Sequence, residues 1–373
     1  MDLFNNEIKS LASELFKVFC PYFNKQIVTS QNSFDIIDSE LGEMASACTT
    51  LEAALALFCA EFVFEGSPNY QLISKCLVKK ALKRQHSDGA LGQPFYIIRG
   101  KEQTKDIAEI GAAADALYYL YHYAKADEAK DILIGTAKFL LQMQHPSVAG
   151  VYYKRLDAKE HDVLNGDAYA GAALMRTYQV TNDIIYHDLA ADVAKHLIAR
   201  FGVHSNNWWP YAEYFDGSIS VGNSLGYQAT IVAFGHDILS GLKDSILAAE
   251  FSQVLEQGML KVLECIEKDL PLKEVEPVWW AVSWNRCPEV LLALIKERRL
   301  EKARHYALLQ LREIVNEVLD QGVEYFQPPE KKEADPNKTP VTTTFRKVAT
   351  LAGILSYAIM DILEEDSKKN CNV

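Results

Sequence analysis

Residues 106–144 read DIAEIGAAADALYYLYHYAKADEAKDILIGTAKFLLQMQ. Apolar residues recur there at helical spacing in two blocks, 106–124 and 127–144, with Lys125 and Ala126 between them. So short a link makes the two helices antiparallel neighbours. The first block is built around Ala112-Ala113-Ala114 and is apolar nearly all round, as a helix buried on every side is. The second mixes charged and apolar residues, as a helix with one face in water does. The unit is a hairpin of one inner and one outer helix.

The rest of the chain repeats this unit. Caps and turn residues predict twelve helices, over 5–20, 40–62, 69–85, 106–124, 127–144, 162–180, 184–201, 223–240, 244–266, 279–296, 300–320 and 342–364. Hairpin starts recur every ~55–60 residues, about six times. Links after the even-numbered helices are short: Glu65-Gly66-Ser67-Pro68, Lys125-Ala126, Thr181-Asn182-Asp183, Ser240-Gly241 and Arg298-Arg299. Links after odd-numbered helices are long and rich in Gly, Pro, aromatic and charged residues, as in HSDGALGQPFYIIRG (86–100), HPSVAGVYYKRLDAKE (145–160) and GVHSNNWWPYAEYFDGSIS (202–220). Even helices are rich in small residues, for example Ala45-Ser46-Ala47-Cys48 and the run from Ala168 to Ala173, whereas the third helix carries Lys75, Lys79, Lys80 and Lys83. Strand-like alternation is scarce, with Gly150-Val151-Tyr152-Tyr153 its best candidate. The expected architecture is all-α: an (α/α)6 toroid of six helical hairpins, one domain over 1–373, with even helices inside and odd helices outside. An open solenoid of hairpins is the alternative. Residues 327–341 are expected to be a mobile loop or a lid, and 365–373 a disordered tail.

In such a ring all long links emerge on one rim. That rim also carries the N-termini of the inner helices, whose free N–H groups bias the mouth of the central funnel toward positive potential. A concave, polar-lined mouth is a natural ligand site.

Composition limits what the ligand is. The 373 residues include 38 basic and 50 acidic side chains, a formal charge of −12, with 49% apolar and 24% charged residues. This balance excludes a disordered chain and argues against nucleic acid as a partner, since phosphate binding needs clustered Lys and Arg. The opening MDLFNNEIKSLASELF lacks the charged and apolar regions of a secretory signal, and no stretch approaches the ~18 apolar residues of a membrane span. The seven cysteines (20, 48, 59, 76, 265, 287 and 371) are irregularly spaced and mostly in apolar text, as reduced buried thiols are. A cytoplasmic protein is expected. There is no H-E-x-x-H, no paired Cys/His spacing, no EF-hand loop, and no P-loop, G-x-S-x-G or Rossmann fingerprint, so neither metal nor cofactor is expected.

Three stretches carry a resemblance. Gln85-His86-Ser87-Asp88-Gly89-Ala90-Leu91-Gly92 resembles the Q-x-x-D-G-x-W-G turn of the six-hairpin glycosidase superfamily, with Leu91 where an aromatic is usual. The run from Asn165 to Ala172 resembles an inner-helix opening of sugar-processing toroids, and Trp209-Pro210-Tyr211 followed by Tyr227-Gln228 is similar to their next hairpin. The alternation also resembles the terpenoid cyclase and prenyltransferase toroids, although the D-x-D-D motif and the zinc ligand set of those enzymes are missing. The resemblance implies the toroid fold more than any one reaction.

Glycoside hydrolysis needs one protonated and one ionised carboxyl across a sugar. Acidic residues fall on the expected rim at Asp88, Asp162, Asp167, Glu213, Asp216, Glu274 and Glu276. Asp88 and Asp167 are the candidate catalytic pair, with His161 a third acid–base group. Asp88 also reads as a turn residue before Gly89, and Asp167 as a first-turn acid favouring its helix dipole. All five tryptophans lie in two rim regions, Trp208-Trp209 and Trp279-Trp280 with Trp284. With Tyr153, Tyr211 and Tyr227 they suit either a pyranose or an isoprenoid, or else pack loops onto the ring. Asp162 joins this binding set, and Arg346, entering an inner helix after three threonines, is the best clamp for an anion, ahead of Arg99, Arg155 and Arg286. The expected function is a glycoside hydrolase-like enzyme acting on an oligosaccharide or uronate. The alternatives are a terpenoid cyclase-like enzyme and a non-catalytic glycan-binding toroid.

Overall fold

A computed structural model describes residues 2–30, 33–62, 69–92, 105–220, 225–268, 284–327 and 343–371. The helices follow from local signals. Asp106 caps Ala108 N at 2.9 Å, Ser46 caps Thr49 N at 3.2 Å, Asp183 caps Ile185 N at 3.2 Å, and Asp244 caps Ile246 N at 2.9 Å. Pro288 opens its helix at a position where a missing N–H costs nothing.

The described residues hold α1 (Asp2–Gln26), α2 (Ala47–Ala60), α3 (Tyr70–Arg84), α4 (Ile107–His122), α5 (Asp127–Met143) and α6 (Leu164–Thr181). After these come α7 (Ile184–Arg200), α8 (Leu225–Leu239), α9 (Ser245–Glu267), α10 (Pro288–Lys296), α11 (Glu301–Gln321) and α12 (Thr344–Cys371). The even helices form the inner ring. Each packs on the next, and α12 returns to α2, so the ring closes and the open solenoid is excluded. Every residue of α2 is buried, as is α6 from Leu164 to Thr177. The odd helices bury one face only, and α11 packs on α1 to complete the outer layer. Small residues permit the approach: a Cβ on Gly171 of α6 would lie 2.6 Å from Ile238 of α8 and 2.8 Å from Val193 of α7. Gly89 has a left-handed φ of +96°, and a Cβ there would meet the Gly135 carbonyl of α5 at 1.9 Å, so the turn of residues 86–92 lies flat on the outer layer.

The structure departs from the expected boundaries in the long links. Residues 27–44 form β1 (Ile27–Ser30), β2 (Ser33–Asp38) and β3 (Glu43–Met44), an antiparallel sheet in order β1-β2-β3, so the second helix starts at Ala47 instead of 40. A second sheet joins β4 (His161–Val163), β5 (Ala212–Tyr214) and β6 (Ile219–Ser220) across two different links, with Asp162 opposite Glu213. Strands of two or three residues are too short to show alternation, and the partner of β4 lies far off in sequence. Of Gly150–Tyr153, Tyr152 makes one bridge, to Gln144. The tenth helix begins at Pro288 and not at 279; Trp284–Arg286 is a single 3-10 turn before it. The backbone of 365–371 continues α12. Residues 328–341 of the expected loop, together with Arg99, Glu274, Glu276, Trp279 and Trp280, lie outside the described residues. No described helix is long and apolar enough to cross a membrane.

Candidate active site in the funnel

Polar side chains reach the ring axis in two layers. The mouth layer comes from the first two turns of the inner helices: Cys48 and Glu52 of α2, Glu109 of α4, Tyr169 of α6, Glu289 of α10 and Arg346 of α12. This is the rim that carries the long links. Arg346 and Glu52 form an ion pair, and the Arg346 guanidinium also lies 3.8 Å from Cys48 Sγ. The first sheet fixes the start of α12. Thr343 Oγ1 donates to Asp38 Oδ2 at 2.6 Å and accepts the Arg346 backbone N–H at 3.1 Å, while the Glu40 carboxylate accepts Thr344 N–H at 3.0 Å.

Burial dominates the electrostatics of this layer. It pushes Glu52 up to about 7 from an ordinary 4.5, against the pull of Arg346. It pushes Glu289 up to about 8, with the Cys287 thiol 3.4 Å away. Glu109 is raised well above the usual carboxylate range by burial; Arg346 opposes this, while Asp106 and Glu52 add to it. Its two carboxyl oxygens have no nitrogen or oxygen partner among the described residues. The layer thus holds one fixed cation and three acids whose proton affinities are all raised by burial.

The far layer closes the other end. Arg176 of α6 binds Asp115 of α4 at 2.7 Å and Asp237 of α8 at 2.9 Å; Lys296 of α10 binds Asp115 at 2.7 Å and also Asp237. Arg176, Asp115 and Asp237 are buried there and the Lys296 side chain is 5% exposed, and the Arg176 guanidinium lies 4.3 Å from the centre of the Tyr118 ring.

The residues expected from the sequence fall in several places. Arg346 stands in the mouth layer, already paired. Asp88 lies in the turn of residues 86–92, where it accepts Ala90 N–H at 3.2 Å and pairs with Lys105. Burial acts to raise its pKa, but the Lys105 and Ala90 hydrogen bonds overcome this and leave it lowered. Asp167 is buried between the rings. Its Oδ1 accepts Tyr152 N–H at 2.7 Å, and its Oδ2 lies 3.6 Å from His196 Nε2 of the outer helix α7. The structure brings Asp167 together with Asp162, whose Oδ2 is 2.8 Å from the same His196 nitrogen. Burial and the charge of Asp162 raise Asp167 well above its ordinary value. His161 packs its ring on Tyr214, with centroids 5.0 Å apart.

Trp209 is fully buried, donates Nε1–H to Leu197 O at 2.8 Å, and packs against Phe201 and Gly258. It joins the two rings and has no face for a ligand. Trp208 is 7% exposed. Tyr211 and Tyr227 stack at 4.5 Å and 22° where β5 meets the first turn of α8, and both are half-buried. Tyr153 packs with His145 and Phe215.

Sequence reading missed Glu52, Glu109, Glu289 and His196. The signal for the first two was present: Glu52 is the lone charge in ACTTLEAALALFCA, and Glu109 opens the alanine-rich α4. A charge inside an otherwise apolar helix either faces a partner or serves a site.

No protein-family model and no curated protein matches this chain. Solved structures do, 108 chains in all. Cellobiose 2-epimerase from Spirochaeta thermophila superposes with a TM-score of 0.65 at 16% identity, covering 97% of this chain and 99% of its own. A family 76 glycoside hydrolase from a bovine Bacteroides thetaiotaomicron strain gives 0.61 at 12%, covering 96% and 78%. The unsaturated glucuronyl hydrolase of Bacillus sp. GL1, responsible for the degradation of glycosaminoglycan, gives 0.56 at 11%, covering 94% and 96%. The chain folds as an (α/α)6 toroid. At these identities the likeness is one of architecture, and it extends over nearly the whole ring.

Proposed function

We propose that this toroid is a carbohydrate-active enzyme that works by proton transfer between carboxyl groups at the floor of the funnel mouth. One observation carries the reading: Glu52, Glu109, Glu289 and Arg346 converge from four inner helices, and burial raises the proton affinity of all three acids. Groups whose environments separate their proton affinities supply an acid and a base near neutrality. Solved toroids of the same architecture bear the names of sugar epimerases and glycoside hydrolases, which supports a sugar as substrate.

In this reading Glu289 is the general acid, Glu52 the ionisable partner held by Arg346, and Glu109 a further buried acid whose proton affinity burial raises. Asp88, tied to Lys105, and Asp167, turned toward the outer ring, are less suited to those roles than the axial glutamates. Tyr211 and Tyr227 offer the stacking face at the rim. Four ionisable groups on the axis favour a sugar over an isoprenoid, which needs a dry funnel. Hydrolysis of a glycosidic bond is the reaction we take forward, since it needs one protonated and one ionised carboxyl. We assign the enzyme to the cytoplasm, where its free thiols would stay reduced.

The test is incubation with neutral and uronate oligosaccharides, saturated and unsaturated, followed by reducing-end release and by proton NMR for epimerised products. Turnover is expected, with Glu289→Gln lowering it by about 10²-fold or more. A Glu289→Gln enzyme at full rate would sink the assignment. Binding without turnover by the wild type would favour the non-catalytic alternative.

A further inference from the structure

Outside the funnel, three segments bring ionisable side chains to one point. Pairing of β4 with β5 sets Asp162, the first turn of α6 sets Asp167, and α7 supplies His196. His196 Nε2 lies 2.8 Å from Asp162 Oδ2 and 3.6 Å from Asp167 Oδ2, and one donor atom from each residue lies within 4.8 Å of the other two. Both carboxylates are buried, and Asp162 Oδ1 and Asp167 Oδ2 accept from no N–H or hydroxyl donor among the described residues, the two carboxyl groups lying within hydrogen-bond reach of each other. The other charge acting on Asp167 is Glu213, also negative, whose own partners are Arg200 and His204.

We propose that Asp162, Asp167 and His196 bind one divalent cation of the zinc or manganese class. Two carboxylates facing one imidazole nitrogen, sealed from water, are costly unless positive charge is added. Three acceptor-bearing groups converging on one point form the ligand sphere of a metal. A tetrahedral site with bonds of about 2.0–2.2 Å sets its ligand atoms about 3.4 Å apart, and the separations from His196 here, 2.8 and 3.6 Å, lie on either side of that. One nitrogen and two oxygens suit a borderline cation, since imidazole favours zinc and carboxylates favour manganese. The Tyr152 N–H, 2.7 Å from Asp167 Oδ1, orients that ligand, as groups behind metal ligands do. The cation would tie β4, α6, α7 and the link at Tyr152 together on the elaborated rim. Sequence spacing hid the set, because His196 lies on a different hairpin element from the two aspartates.

The experiment uses the full chain, freed of any affinity tag and produced in medium containing zinc and manganese. Mass spectrometry of the desalted protein should find about one equivalent of one of the two metals. Chelation should lower the Tm, and that metal alone should restore it. Asp167→Asn keeps an acceptor for Tyr152 N–H but loses the charged ligand, so it should hold little metal and melt at a temperature that chelator does not move. If Asp167→Asn does not fold, His196→Gln is measured in the same way. Metal-free wild type whose Tm ignores millimolar zinc and manganese would overturn the proposal and leave a proton shared by the triad. Metal retained in full by both variants would overturn it as well, by locating the ion elsewhere. Sugar turnover enters none of these readouts, so the outcome is independent of the funnel assignment.

Discussion

Glu52 and Glu289 hold protons more tightly in the ring than in the unfolded chain, and that has a thermodynamic consequence. Their folded values are about 7 and about 8 against an ordinary 4.5. Between pH 4.5 and these values the folded state binds more protons, so stability falls as pH rises through the window and the loss is complete only once pH has passed the folded value of Glu289, about 8. This is opposite to the usual salt-bridged carboxylate. In urea titrations from pH 5 to 8, Glu289→Gln should show a flatter pH dependence than the wild type; an unchanged slope would mean that Glu289 is not held protonated. The same residue explains part of what the sequence concealed. Arg346 was legible because it enters an inner helix behind a threonine run. Glu289 sits in PEVLLALIK, where a second-position acid reads equally as a dipole partner. Trp209 misled because a large ring in a polar link looks like a ligand platform, and only the packing shows its indole N–H spent on Leu197 O.

At the scale of elements, the helices were legible and the strands were not, for one physical reason. An inner helix buries all its faces, so its small apolar residues run on for several turns. The β4–β6 sheet is made of fragments that no periodicity reveals, yet it fixes Asp162. Boundaries followed local chemistry: Pro288 marks the true start of α10, and Ser46 that of α2. Caps on inner helices matter twice, because they fix both the helix and the axial residue one turn on. Asp106 caps α4 and raises the proton affinity of Glu109. Asp106→Ala should therefore cost about 1 kcal/mol in urea unfolding at unchanged m-value. A cost near zero would show that α4 is held by ring packing alone.

For the molecule as a whole, the question is what keeps a six-fold ring from collapsing on its axis. The mouth layer is the proposed site of proton transfer, and closure falls to the far end. Arg176, Asp115, Asp237 and Lys296 do this with four charges from four different helices, each bonded to two others. Ions so deeply buried contribute little net stability over an apolar filling, because desolvation offsets their attraction, but removing one partner exposes the rest. Arg176→Met should thus destabilise by about 3–5 kcal/mol, since Asp115 and Asp237 would share Lys296 alone. Replacing all four charges by Leu and Met should cost much less than the sum of the single changes, because the quartet acts as a unit. Near-additive losses in calorimetry would contradict this and make each bond separately stabilising. Non-additive losses with intact sugar turnover would mean that the far layer closes the ring and sets its register, leaving the mouth layer free to bind and to move protons.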